Sequence, residues 1–153
     1  MAITSTTNGT PPPVLGTSAE ATVRSFLELL ASEDLDGALA LLDEDVAYTN
    51  VGLPTVRGRH VVDRLFRPAL GRAGFKVHFD NVVSDGRVVL TERVDALVLG
   101  PVHWQFWVYG RFEVVDGKIT VWRDSFDYLD VNIGLLRGIV GVVVPGVRRR
   151  WPD

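Results

Sequence analysis

Three turn signals, Asp85-Gly86, Gly100-Pro101 and Asp116-Gly117, divide the second half of the chain into four stretches of strand-like character. In the first, Phe75, Val77 and Phe79 alternate with Lys76, His78 and Asp80, and in the second, Val88 to Leu99 is rich in β-branched and aliphatic residues. The third places Val102, Trp104, Phe106, Val108, Gly110, Phe112 and Val114 against His103, Gln105, Trp107, Tyr109, Arg111 and Glu113. The fourth, Lys118 to Tyr128, sets Trp122, Asp124, Phe126 and Tyr128 on one side and Arg123 on the other. Alternate residues of a strand share a face. The pattern therefore predicts an antiparallel meander with one apolar face, which other elements must cover.

The preceding residues supply helices for that purpose. Thr17 and Glu20 stand in capping-box spacing, and Val23, Phe26, Leu27 and Leu30 follow at helical period. Asp34 can cap a short second helix with Leu35, Ala38, Leu41 and Leu42 on its apolar side. Asp43 to Val51 has strand chemistry, and Gly52 to Gly58, containing Pro54, reads as a loop. A third helix is expected over His60 to Leu70, with Val61, Val62, Leu65, Phe66, Ala69 and Leu70 on one side, ended by Gly71 and Gly74. Helices first and a meander afterwards give an α+β architecture: a curved, mostly antiparallel sheet with helices packed on its concave face.

A length of 153 residues and 46% hydrophobic content suit one domain, expected over residues 17–153. Met1 to Gly16 is a run of Thr, Ser, Asn, Gly and Pro with little to bury, expected to be a disordered leader. Val131 to Val144 is apolar, with Gly134, Gly138 and Gly141. It is shorter than the roughly 20 residues of a membrane span, carries Arg137 and runs into Pro145. Two readings stand for it: a helix covering the core or a partner subunit, which we prefer, or surface docking on a membrane through Arg148, Arg149 and Arg150.

With no cysteine, the chain has no disulfide, thiolate nucleophile or Cys-ligated metal. A formal net charge of -3 gives no broad basic footprint, so nucleic acid is not expected as a partner. No basic segment leading into an apolar one opens the chain, and a cytoplasmic location is expected. His60, His78 and His103 lack metal-ligand spacing, so no metal is implied. Nucleophile-elbow, phosphate-loop and dinucleotide motifs are absent.

The chemistry is then left to polar groups on apolar strand faces. Arg93 and Asp95 project together with Val89, Leu97 and Leu99, either as a structural ion pair or as part of a site. Tyr48 and Asn50 share a face of the earlier strand, where packing and turn roles are the plainer alternatives. Asp124 is the third such position, beside Trp122 and Phe126.

Tyr48-Thr49-Asn50, Arg93-Val94-Asp95 and Trp122-Arg123-Asp124-Ser125-Phe126-Asp127, taken in this order, resemble the motifs of the limonene-1,2-epoxide hydrolase family, in its actinobacterial branch. The resemblance runs over nearly the whole chain after the leader. It implies a cone-shaped fold of the nuclear transport factor 2 (NTF2) type, usually a homodimer, and hydrolysis of lipophilic epoxides to diols without metal or cofactor. Carried over by motif, Asp124 would be the general base, Tyr48 and Asn50 would help it hold the attacking water, Asp95 would be the general acid, and Arg93 would bridge the carboxylates. Leu97, Phe106, Val108 and Phe126 match wall positions. Ser125 stands where an aromatic is common, and the apolar tail also departs from the limonene enzyme.

The residue types suit that chemistry independently. One-step epoxide opening needs a proton donor at the ring oxygen and a base on water at the opposite face, hence two carboxyls in different protonation states. Burial and a neighbouring carboxylate raise an Asp pKa, while Arg93 opposes the rise. Two other functions compete: an isomerase of the ketosteroid-isomerase kind, with an Asp base and an oxyanion hole, and a non-catalytic binding module for small lipids. A guanidinium between two aspartates weighs against the first.

Overall fold

The computed structural model describes residues 18–152. Six strands form one sheet in the order β2-β1-β6-β5-β4-β3. The expected meander is present as β3 (Gly74–Asp85), β4 (Val88–Leu99), β5 (Val102–Val115) and β6 (Lys118–Phe126), all antiparallel neighbours. β1 (Leu42–Asn50) joins the free edge of β6 in parallel, and the two-residue β2 (Val56–Arg57), inside the segment expected to be loop, pairs with β1. Shifts of register at Asp80 of β3, against β4, and at Thr120 of β6, against β5, mark bulges, which bend a sheet.

Three helices cover one face. α1 (Ala19–Ala31) buries Val23, Phe26, Leu27 and Leu30. Phe26 meets Trp122 and Phe112 edge-on, with ring centroids 4.9 and 6.5 Å away. Its N-cap is Ser18, whose hydroxyl accepts from the Ala21 N–H at 3.1 Å. Glu20, the other half of the expected capping box, accepts from Arg24 at 2.8 Å. Thr17 and the expected leader, Met1 to Gly16, lie outside the described residues.

In α2 (Leu35–Ala40), the Asp34 carboxylate accepts from the Gly37 N–H at 2.8 Å, as an N-cap does. Leu42, expected on this helix, instead opens β1 and is fully buried. α3 (Arg59–Leu70) fully buries only Val62, and Leu65, expected on its apolar side, is half exposed. Together with Val89, Phe112, Ile119 and Trp122 from the sheet, these helices enclose the core.

α4 (Tyr128–Val143) follows β6 and packs along the backbone of β5 before Val108, where β6 no longer pairs with it. β6 stops at Phe126 because Asp127 caps this helix, accepting from the Leu129 and Asp130 N–H groups. Tyr128 is therefore helical instead of continuing the strand face with Asp124, and its hydroxyl donates to the Val51 carbonyl. The tail does form a helix, but it packs along the stretch of β5 that β6 leaves unpaired, and none of its residues joins the buried core. Gly134 and Gly138 touch the carbonyls of Gln105 and His103, an approach that any Cβ would block. Leu129, Ile133, Leu136 and Val143 remain exposed. Among the described residues, no helix is long and apolar enough to cross a membrane.

Candidate active site

Strand pairing brings the polar motifs together. Parallel pairing sets Tyr48 opposite Trp122 and Asn50 opposite Asp124; Asp124 pairs with Gly110, and Gly110 with Thr91. Side chains on this row point toward the helices. Gly110 leaves a gap between Thr91 and Asp124, and Arg93 fills it: a Cβ on Gly110 would overlap the Arg93 Nη1, the Thr91 Oγ1 and the Phe112 ring.

The guanidinium is 1% exposed and spends every nitrogen on a partner. Nε donates to Asp95 Oδ1 at 3.0 Å and Oδ2 at 3.1 Å, Nη2 donates to Asp124 Oδ2 at 2.7 Å, and Nη1 donates to Thr91 Oγ1 at 3.0 Å. Asp95 and Asp124 are 4% and 3% exposed. Burying three charges is costly unless each is paired, and here one cation serves two carboxyls.

The two aspartates are not equivalent. Asp124 Oδ2 also accepts from the Trp122 indole N–H at 2.9 Å, so two donors fix that oxygen. Its Oδ1 is buried and has no hydrogen-bond partner among the described residues. Tyr48 donates to Asn50 Oδ1 at 3.0 Å, which directs the Asn50 side chain and leaves its amide N–H groups to donate elsewhere.

Burial also acts on the charged groups themselves. Burial, with the negative charge of Asp124 adding to it, pushes the Asp95 carboxyl up to about 6 against the pull of Arg93. Burial would lower the Arg93 pKa, but the charges of Asp124 and Asp95 outweigh it and raise the value. Tyr48 is raised by burial and then by Asp124, so it stays a neutral phenol.

These groups line a cavity of about 230 Å³ between the sheet and the helices. Tyr48, Asn50, Arg93, Asp95 and Asp124 all reach it, as do the expected wall residues Leu97, Phe106 and Phe126. Val108, expected in the same wall, does not line it: paired between Arg93 and Phe126, it is fully buried in the sheet. Sequence reasoning missed Trp122 and Thr91 as partners of the charged groups, although each precedes its partner by two positions on the same strand face. It also missed the far wall, made by Leu27, Leu30, Phe66, Ala69 and Leu70 of α1 and α3. Among the described residues no three of His, Cys, Asp and Glu gather as a metal site. A larger recess of about 470 Å³ lies around Leu90, Tyr109 and Arg123 on the outer face, away from the buried carboxyls.

Comparison with known proteins places this geometry. Residues 17–137 match the family model of the limonene-1,2-epoxide hydrolase catalytic domain. Epoxide hydrolase EphG of Mycobacterium tuberculosis (strain ATCC 25618 / H37Rv) is 49% identical over 126 residues, covering 82% of this chain and 85% of that relative. The solved structure of an M. tuberculosis LEH-like epoxide hydrolase superposes with a TM-score of 0.82 at 47% identity, over 87% of this chain and 95% of that one. An NTF2-like protein from Burkholderia xenovorans LB400, at 20% identity and a TM-score of 0.61 over 78% of this chain and 99% of that one, shares the fold. The α+β sheet cradling a buried Asp-Arg-Asp group is thus an NTF2-like fold, and the chain belongs to the limonene-1,2-epoxide hydrolase family as an epoxide hydrolase of that type.

Proposed function

We propose that the protein adds water to a small lipophilic epoxide, terpene-like or another cyclic or aliphatic one, and releases a vicinal diol in a single general acid/base step. The observation that carries this reading is the unpaired, buried Asp124 Oδ1 beside Tyr48 and Asn50. A buried carboxylate oxygen without a donor calls for one, and a water held also by Tyr48 and Asn50 supplies it. Asp124 takes a proton from that water as its oxygen bonds to a ring carbon. The carbon-oxygen bond breaks on the opposite face, and Asp95 gives its proton to the departing oxygen. Afterwards the proton gained by Asp124 must return to Asp95, by way of the solvent or the shared site.

Asp95 supports the acid role because its carboxyl, pushed up to about 6, keeps a proton where an ordinary Asp does not. Arg93 couples the pair, so their titration belongs to the set. With the acid supplied by Asp95 and the nucleophile by water, the reaction needs no metal or cofactor. Leu97, Phe106 and Phe126 form the apolar wall. A volume of about 230 Å³ lies below the ~300 Å³ at which drug-sized sites begin, which suits a small substrate.

The working unit in this reading is one catalytic domain, residues 17–153, acting in the cytoplasm as a homodimer. The bare outer-face residues Val83, Leu90 and Tyr109 offer an apolar patch for the second copy. A doubled mass in solution is expected, and a monomer at working concentration argues against the dimer.

A single turnover with enzyme in excess, run in oxygen-18 water, tests the mechanism. Direct attack puts the label into the diol at once and inverts the attacked carbon. An unlabelled first diol means that Asp124 had formed a covalent ester, and the one-step reading fails.

A further inference from the structure

On the outer face, a second recess of about 240 Å³ lies between α4 and the chain that follows it. Lys76 of β3, Arg137 of α4, and Arg148 and Arg149 beyond the short 3-10 turn Pro145–Val147 line it, with the Trp151 ring at one side. Among the described residues no carboxylate lines it. Four cations in one small recess repel one another, and low-dielectric walls focus their field. Arg149 reaches Asp130 at 3.4 Å, whereas Lys76 and Arg137 form no ion pair among the described residues. In a chain with 19 Asp and Glu against 16 Lys and Arg, such a gathering is not forced by composition.

The recess is also built. Arg148 is held by two backbone carbonyls, with Nε donating to Gly141 at 2.9 Å and Nη2 to Pro101 at 3.1 Å, which leaves Nη1 for another acceptor. Gly141 permits this, since a Cβ there would overlap the Arg148 side chain. The close seating of Gly134 and Gly138 on β5 fixes the turn of α4 that carries Arg137. The Lys76 ammonium stands 5.9 Å from the centre of the Trp151 ring. The match to the family model ends at Arg137, so Arg148, Arg149 and Trp151 belong to a stretch beyond it.

We propose that this recess binds a phosphate monoester group. Guanidinium forks match phosphate oxygens bidentately, and a dianion neutralises several of the gathered charges at once. The group has two possible sources, a soluble phosphate ester or the headgroup of an anionic lipid. Leu136 and Val143, exposed on α4 nearby, would meet the acyl chains in the second case. This site lies outside the catalytic cavity and does not depend on the mechanism proposed above.

The full-length protein is titrated by calorimetry with sn-glycerol 3-phosphate, with glycerol as the uncharged control. In parallel it is sedimented with phosphatidylcholine vesicles with and without phosphatidic acid. Saturable binding in either arm is expected, and the Lys76→Gln/Arg137→Gln double variant should weaken it about tenfold or more. Both residues lie outside the catalytic cavity, so epoxide turnover by that variant should match the wild type. Binding in the calorimeter identifies a soluble ester, and binding only to phosphatidic acid vesicles identifies a headgroup. Absence of binding in both arms, or binding that the double variant leaves unchanged, overturns the proposal.

Discussion

The Nη1 of Arg93 occupies the space into which a side chain at Gly110 would project. Gly110 is the register partner of both Thr91 and Asp124, so its lack of a side chain lets one guanidinium span from β4 to β6. Gly110→Ala should push Arg93 off its partners and lower turnover severely. Overpacking at a buried position costs ~1–3 kcal/mol, so the variant should still fold, with a lower midpoint in urea. Wild-type kinetics would show that Arg93 tolerates displacement.

Trp122 holds Asp124 from the other side. Trp122→Phe keeps an aromatic ring beside Phe26 and Tyr48 but removes the indole donor to Asp124 Oδ2. A hydrogen bond to a charged group contributes about 1.5–3 kcal/mol. A fall in kcat of about tenfold or more is therefore expected, with KM changed less. If KM rises while kcat stays constant, Trp122 serves only as cavity wall.

These two relationships also mark where the sequence stops being readable. The meander was legible because the alternation and the turns are local signals, and the Arg93-Asp95 pair was legible because strand neighbours two apart must share a face. The parallel pairing of β1 with β6 joins segments some seventy residues apart with no local signal, so the meeting of Asn50 with Asp124 rested on family motifs. For α4, apolar residues on all sides concealed which side is buried. Gly134, Gly138 and Gly141 at helical spacing were the available clue, and they are the residues that α4 buries.

Arg93→Lys tests whether the planar fork matters beyond its charge. An ammonium cannot reach Asp95, Asp124 and Thr91 together, so at least one buried carboxyl loses its partner. Breaking a buried ion pair costs ~3–5 kcal/mol. The variant should melt well below the wild type and turn over poorly at every pH. A stable, active Lys variant would mean that one point charge suffices between the two aspartates.

The pH dependence of Asp95 links stability to catalysis. Its folded value of about 6 lies above the ordinary 3.8, so the folded protein holds this proton more tightly than the unfolded chain. The resulting stabilisation is fully present below pH 3.8 and is lost as pH rises through about 6; two units correspond to a contribution on the order of 3 kcal/mol. Asp95→Asn has no proton to exchange and should lack this fall when urea unfolding is followed across that window. Its fold should survive, because Asn keeps the shape and can still accept from Arg93, but turnover should nearly vanish. In the wild type, kcat/KM should decline above pH ~6 by about tenfold per unit, since only the protonated Asp95 can give its proton to the ring oxygen. A profile that stays flat from pH 5 to beyond the range of ~7, or an Asn variant with normal turnover, would remove Asp95 from the acid role.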